Sequence, residues 1–332
     1  MAVDHPTSGA GSKPGALPPA YLFPGQGAQS VGMADRLLAL SDRARRVFAR
    51  GREVLGFEIE RICREGPEEE LNLTRVSQPA IFIHSMALLE AAHERSGAAG
   101  AFGEGFPASA AAGLSLGEYS ALVFAGSLDF ETALSIVAVR GRYMQDACDR
   151  QPGGMVSILG LSEAKVLAAV GKGRALGPIG IANYNAPNQL VISGAKEALD
   201  AAAAAAKELG ARRAIPLRVA GAYHSPLMAS ATEKLAPLIR RAAIRAPRLP
   251  FFPNVLGEEI RDPEAIRDCL IRQVESPVRW EMTLRAVAAR GIDRALEVGP
   301  GRVLAGLARS TDCGIAVTSS AEDEETFLGN IP

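Results

Sequence analysis

The stretch Gly113-Leu114-Ser115-Leu116-Gly117, set in "AAAGLSLGEYS" at 110–120, decides how the rest of the chain is read. A lone hydroxyl stands between two leucines, themselves bracketed by glycines, where an alanine would pack as well. Gly-x-Ser-x-Gly is the pattern of a nucleophile elbow, in which a strand turns abruptly into a helix and the serine holds the apex. Glycines two before and two after let neighbouring backbone pass without side-chain collision. The serine then falls at a helix N-terminus, whose unpaired N–H groups favour developing negative charge. The small apolar run before Ser115 and the helical "EYSALVFAG" after it suit such a turn. The same five residues also fit an ordinary glycine-rich turn, so the reading depends on partners elsewhere.

A serine nucleophile needs a base, and there are 4 histidines to choose from. His5 lies in a Pro/Gly/Ser-rich leader, and His84 and His93 fall on a helical stretch where packing or surface roles suffice. His224, in "VAGAYHSPLM", sits at a strand-to-loop transition far along the chain from Ser115, as expected of groups that a fold brings together. Attack on a carbonyl also needs an anion hole. The backbone N–H of Leu116 supplies one donor, and the loop "FPGQGAQ" at 23–29 is suited to supply the second through Gln26. A dinucleotide reading of that loop fails, because Ser30 occupies the place of the third glycine.

Composition removes several classes. The 332 residues are 48% hydrophobic with a formal net charge of -1, so nothing favours nucleic acid as a partner. No apolar run approaches the roughly 18 residues that span a membrane. Cys63, Cys148, Cys269 and Cys313 are far apart and form no CxxC pair, which suits a reducing compartment and gives no metal site. The N-terminal stretch 1–20 lacks the basic and apolar regions of a secretory signal and reads as a flexible leader. A cytoplasmic monomer is the simplest expectation.

The pattern predicts an α/β protein in two parts. "YLF" at 21–23 reads as a buried strand, followed by helical patterning from about Met33 to Val54, from Gln78 to Arg95, and over "DFETALSIVAVRGRYMQDA" to about Cys148. From there the order becomes strand ("GMVSILGL"), helix with Ser162 as its cap, two strands ("IGIANYN", "QLVISG"), an alanine-rich helix closed by Gly210, and a last strand ("RRAIPLRVA"). That βαββαβ order predicts a ferredoxin-like subdomain at 150–218, inserted into a core of 21–149 and 219–332. After it, "LEVGPG" reads as a strand and turn, and "RVLAGLARS" as a short helix.

Six ordered motifs then carry a specific resemblance: "YLFPGQGAQSVGM", "GLSLGEYSALVFAG", "VRGRYMQDA", "GAYHSPLM", "RQVESPVRW" and "LEVGPG". Together they resemble the malonyl-CoA:acyl-carrier-protein transacylases, enzymes of dissociated fatty acid synthesis related to the acyltransferase domains of polyketide synthases. The resemblance implies an α/β-hydrolase-like core with the ferredoxin-like insert. It implies Ser115 as nucleophile, His224 as base, and the N–H groups of Gln26 and Leu116 as the oxyanion hole. It implies Arg140 as the residue that binds the malonyl carboxylate, and a backbone carbonyl near Gln273 that orients the histidine. Asn183 and Asn185 of "NYNAP" line up near the cleft. The partners implied are malonyl-CoA and an acyl carrier protein, with no cofactor of the enzyme's own.

Two departures bear on the substrate. The family carries histidine before the nucleophile, where this chain has Leu114, which removes a polar group from the acyl pocket. Tyr223 stands where phenylalanine is common, and a bulky aromatic there resembles malonyl-selective members more than methylmalonyl-selective ones. A serine hydrolase remains an alternative and would want an acid between Ser115 and His224; Asp129, Asp146 and Asp200 are available. A trans-acting acyltransferase of a polyketide assembly line is a second alternative, and a silent carrier-binding scaffold a third.

Overall fold

Two faces of one parallel sheet organise the molecule. The computed structural model describes residues 17–97, 99–322 and 324–331. Its larger sheet contains β1 (Ala20–Phe23), β2 (Ala110–Gly113), β7 (Phe251–Phe252), β8 (Arg294–Glu297) and β9 (Ala316–Ser319), in the order β7-β2-β1-β8-β9 with every pair parallel. Parallel strands buried on both faces need apolar residues at every position. Accordingly Tyr21 and Phe23 point into one core and Ala20 and Leu22 into the other; Phe251 and Phe252 divide in the same way. The chain winds outward from β1 first to β2 and β7, then to β8 and β9. The carboxyl ends of β1 and β8 therefore border a topological switch point, where open α/β sheets form their clefts, and β2 ends beside it.

The helix Thr74–Ser96 is buried on nearly all sides, so it shows no narrow amphipathic stripe, and it packs against the amphipathic helix Phe130–Arg150. The helical stretch expected from Met33 to Val54 is two helices, Asp35–Leu40 and Asp42–Leu55. Ser41 separates them, its hydroxyl accepting from the Ala44 N–H as a cap that propensity alone did not locate. Among the described residues no helix is long and apolar enough to cross a membrane. The expected leader lies outside the described residues except for its last four, and β1 already begins at Ala20.

A second, antiparallel sheet holds β3 (Gly153–Leu159), β4 (Ile179–Ala186), β5 (Gln189–Ala195) and β6 (Arg213–Pro216), in the order β4-β5-β3-β6. The helices Glu163–Gly173 and Lys196–Glu208 cover one face over a separate apolar core, which gives the βαββαβ order. Asn188 takes a left-handed φ of 57° in the tight turn between β4 and β5. Ser162 does occupy the N-cap position, but its side chain makes no capping hydrogen bond. β6 stops at Pro216, well short of the expected "RRAIPLRVA", with one further backbone bond from the Leu217 N–H to Met155 O at 2.9 Å. β4 is tied to the segment before the helix Trp280–Ala289, where the Tyr184 N–H donates to Val278 O at 2.8 Å and the Val278 N–H to Ala182 O at 2.8 Å.

Candidate active site

Ser115 caps the carboxyl end of β2 with a left-handed φ of 52°, between that strand and the helix Gly117–Phe124. Such a conformation costs a non-glycine residue roughly 1–3 kcal/mol and persists only where the surroundings enforce it. Both flanking glycines are sterically required. A Cβ on Gly113 would lie 2.0 Å from Gly117 backbone, and one on Gly117 would lie 2.1 Å from Phe23 O. The elbow is thus pressed against the first strand, which brings the Gly25–Gly27 loop over it.

The serine hydroxyl has two polar neighbours. Ser115 Oγ lies 2.8 Å from His224 Nε2 and accepts from Arg140 Nη2 at 3.1 Å. His224, also at a left-handed φ of 56°, directs Nδ1 at two backbone carbonyls, Gln273 O at 2.9 Å and Ser276 O at 3.1 Å. Carbonyls only accept, so Nδ1 carries the ring proton and Nε2 presents its lone pair to the serine. Burial first, then the Arg140 charge, pull the imidazole pKa down to about 4, against the pull of the two carbonyls. At neutral pH the ring is therefore an uncharged base.

Arg140 is completely buried. Its Nη1 donates to Gln78 Oε1 at 2.7 Å, and its Nη2 donates to Gln273 Oε1 at 2.8 Å as well as to Ser115. Among the described residues no carboxylate pairs with it directly. Desolvation lowers its pKa from the usual value, with Tyr119 and Glu118 opposing, yet a guanidinium stays charged in proteins. The cleft above it has a volume of about 230 Å³ and is lined by Gln26, Leu114, Ser115, Asn183, Asn185, Tyr223 and His224, with Met144, Met155, Leu217, Val219, Val303 and Leu307 forming apolar wall. Among the described residues, neither the Gln26 nor the Leu116 backbone N–H has an acceptor. Tyr223 is held by its hydroxyl against Thr74 Oγ1 at 2.5 Å.

All ten residues expected at the site converge here. Among the described residues the remaining histidines do not: His84 Nε2 contacts Met33 O and His93 Nε2 contacts Phe102 O, both in helix packing, and His5 lies outside the described residues. The acids available to a Ser-His-Asp arrangement lie elsewhere. Asp129 caps the helix Phe130–Arg150, Asp146 pairs with Lys234 at 3.6 Å, and Asp200 pairs with Lys196 at 3.0 Å. Three polar residues at the site were not expected from the sequence. Gln78 braces Arg140; Asn254 accepts from the Ser115 N–H through Oδ1 and donates Nδ2 to Gly113 O. Glu118, buried beneath the elbow, accepts from the Asn254 N–H at 2.9 Å and from Gln273 Nε2 at 2.8 Å. Burial pushes its carboxyl up to about 7 against those two hydrogen bonds and the Arg140 charge. A lone acid in the apolar "GEYSALVF" helix was the available signal.

Known proteins share the sequence and the fold of this chain over most of its length. The model of the acyl transferase domain family matches residues 20–318. The malonyl CoA-acyl carrier protein transacylase of Salmonella typhimurium is 40% identical over 313 residues, covering 93% of this chain and 97% of its own. That of Bacillus subtilis is 38% identical, with 93% and 94% covered. Among solved structures, the transacylase of the same name from Coxiella burnetii superposes with a TM-score of 0.87 at 33% identity, covering 95% of this chain and 98% of the other. A type II polyketide synthase acyl-carrier protein in complex with its malonyl-transacylase gives a TM-score of 0.84 at 36% identity, covering 92% and 99%. With a serine, a neutral imidazole and a buried guanidinium meeting at the carboxyl end of β2, beside the sheet's switch point, and near full-length matches of this kind, the chain belongs to the malonyl-CoA:acyl-carrier-protein transacylase family of acyltransferases.

Proposed function

We propose that the protein transfers the malonyl group from malonyl-CoA to the phosphopantetheine thiol of an acyl carrier protein, through a malonyl-serine intermediate. One observation carries the reading: Ser115 Oγ sits between a neutral imidazole nitrogen and a buried guanidinium. His224 takes the hydroxyl proton as Ser115 attacks the thioester carbonyl. The oxyanion forms within reach of the free N–H groups of Gln26 and Leu116. CoA thiolate leaves and takes the proton from His224. The carrier's thiol then gives its proton to His224 and attacks the ester carbonyl; the ester C–O bond breaks and Ser115 Oγ takes the proton back from His224. Arg140 meets the distal carboxylate, whose burial without a cation would be prohibitive. Tyr223, fixed by Thr74, fills the space beside the acyl carbon and favours an unbranched malonyl unit. No cofactor of the enzyme's own takes part in these steps.

Under the same reading the parallel-sheet unit, 21–149 with 219–332, is an α/β-hydrolase-like core and 150–218 a ferredoxin-like subdomain. The strand order β4-β5-β3-β6 supports the latter. Asn183 and Asn185, on β4, and Leu114 line the acyl and thiol path between the two units. The test is mass spectrometry after brief exposure to malonyl-CoA. The expected result is one malonyl group on the peptide bearing Ser115, discharged onto holo carrier protein. Free malonate with no acylated carrier would make the protein a hydrolase instead. The polyketide complex among the structural neighbours keeps a second reading in play, transfer to a polyketide carrier, and parallel rates with the two carrier types separate it.

The histidine makes a pH prediction. Its lowered pKa leaves the base form dominant above about 4. The kcat/KM for malonyl-CoA reports free-enzyme ionisations. It should therefore stay level as pH falls through 6.5, the ordinary imidazole value, and decline only toward about 4. Glu118, at about 7, titrates within that window, so the profile is repeated with Glu118→Gln. A limb near 7 that vanishes there belongs to Glu118. A limb near 6.5 that persists would mean that burial and Arg140 do not lower the His224 pKa.

A further inference from the structure

The guanidinium that meets the acyl carboxylate is held by an amide whose orientation is itself dictated from below. Gln273 Nε2 donates to Ser115 O at 3.0 Å and to Glu118 Oε2 at 2.8 Å, while its Oε1 accepts from Arg140 Nη2 at 2.8 Å. A carboxamide has two placements related by a half-turn. Only one sets its nitrogen on the acceptors and its oxygen on the guanidinium. The other would put amide oxygen against the carboxylate and amide N–H groups against Arg140. Glu118 Oε2 also accepts from the Asn254 N–H, which can only donate, so that oxygen stands as an acceptor and rejects the second placement.

We infer that Glu118 is a positioning residue for donor selection: its acceptor oxygen fixes which face of Gln273 meets Arg140, and so where the guanidinium stands. The geometry also explains why the acid is one side chain away. A direct Glu118–Arg140 pair would occupy the planar fork that the substrate's carboxylate requires. With the carboxamide interposed, the negative charge remains near enough to favour the buried cation while the fork's other hydrogens stay available.

This inference rests on the transacylase reading, and its test uses two near-isosteric substitutions. Glu118→Gln keeps the reach: with its carbonyl at the Oε2 position it still accepts from both Asn254 and Gln273, but it has no charge. Glu118→Asp keeps the charge but is one methylene short of Gln273. The readout is the ratio of kcat/KM for malonyl-CoA over acetyl-CoA, with folding of each variant checked by circular dichroism and thermal denaturation. Glu118→Gln should hold the wild-type ratio to within about threefold. Glu118→Asp should lower it at least about tenfold, since a binding group misplaced by an ångström costs up to about a hundredfold. A ratio kept by Asp and lost by Gln would make charge the agent and overturn the inference. So would a ratio kept by both, equal losses on the two donors in the Asp variant, or failure of both variants to fold. Wild type is assayed alongside: absence of malonyl transfer there would sink the transacylase reading itself, whereas altered ratios in the variants judge Glu118 alone.

Discussion

Ser115→Ala is expected to abolish malonyl transfer, by at least about 10⁴-fold, because removal of a nucleophile from a concerted catalytic set leaves only binding and the oxyanion hole. The substitution removes one oxygen and keeps the Cβ, so the left-handed backbone at the elbow is no harder for alanine than for serine. The clasp around it also remains. The Ser115 N–H still donates to Asn254 Oδ1, Ser115 O still accepts from Gln273, and Arg140 keeps Gln78 and Gln273. The variant should therefore fold, melt close to wild type and still bind malonyl-CoA in calorimetry, while mass spectrometry finds no acyl adduct. Transfer retained above about one part in a hundred, or an adduct on another residue, would place the nucleophile elsewhere.

That same elbow shows which parts of the site were legible before any coordinates. Gly113 and Gly117 are readable because their requirement is local and steric, and a five-residue window contains it. His224 is readable by elimination among few histidines. Arg140 is different: on an amphipathic helix an arginine looks like a surface ion pair, and only the resemblance singled it out. Asn254, Gln78 and Glu118 escaped because their roles come from tertiary closure. Asn254 reaches Ser115 from a separate strand end, and amides carry no spacing signature. In the fold, the long apolar strands and helices were foreseen. β7, two residues long, and the break at Ser41 depend on pairing and capping that periodicity does not encode.

Arg140→Ala should depress malonyl transfer far more than acetyl transfer, by roughly two to four powers of ten in the ratio of kcat/KM. The estimate follows from donor arithmetic. Each terminal nitrogen of the guanidinium carries two hydrogens. One on Nη1 is given to Gln78 and one on Nη2 to Gln273, leaving one on each; that on Nη2 now rests on Ser115 Oγ. Once the serine is acylated its ester oxygen is a poor acceptor, so both remaining hydrogens can turn to the malonyl carboxylate as a parallel pair. Hydrogen bonds to charged groups are worth about 1.5–3 kcal/mol each, and about 1.4 kcal/mol is a factor of ten. Acetyl has no carboxylate and loses none of this. It should still suffer somewhat, because the substitution also removes a donor from Ser115 Oγ and leaves the Gln78 and Gln273 oxygens buried without their partner. Arg140→Lys should recover only part of the preference, since an ammonium cannot present two coplanar donors while also bracing two glutamines. Competition between the two CoA thioesters in a single reaction measures the ratio directly. Equal losses on malonyl and acetyl would mean that the carboxylate is held by another group, and would reduce Arg140 to a structural brace.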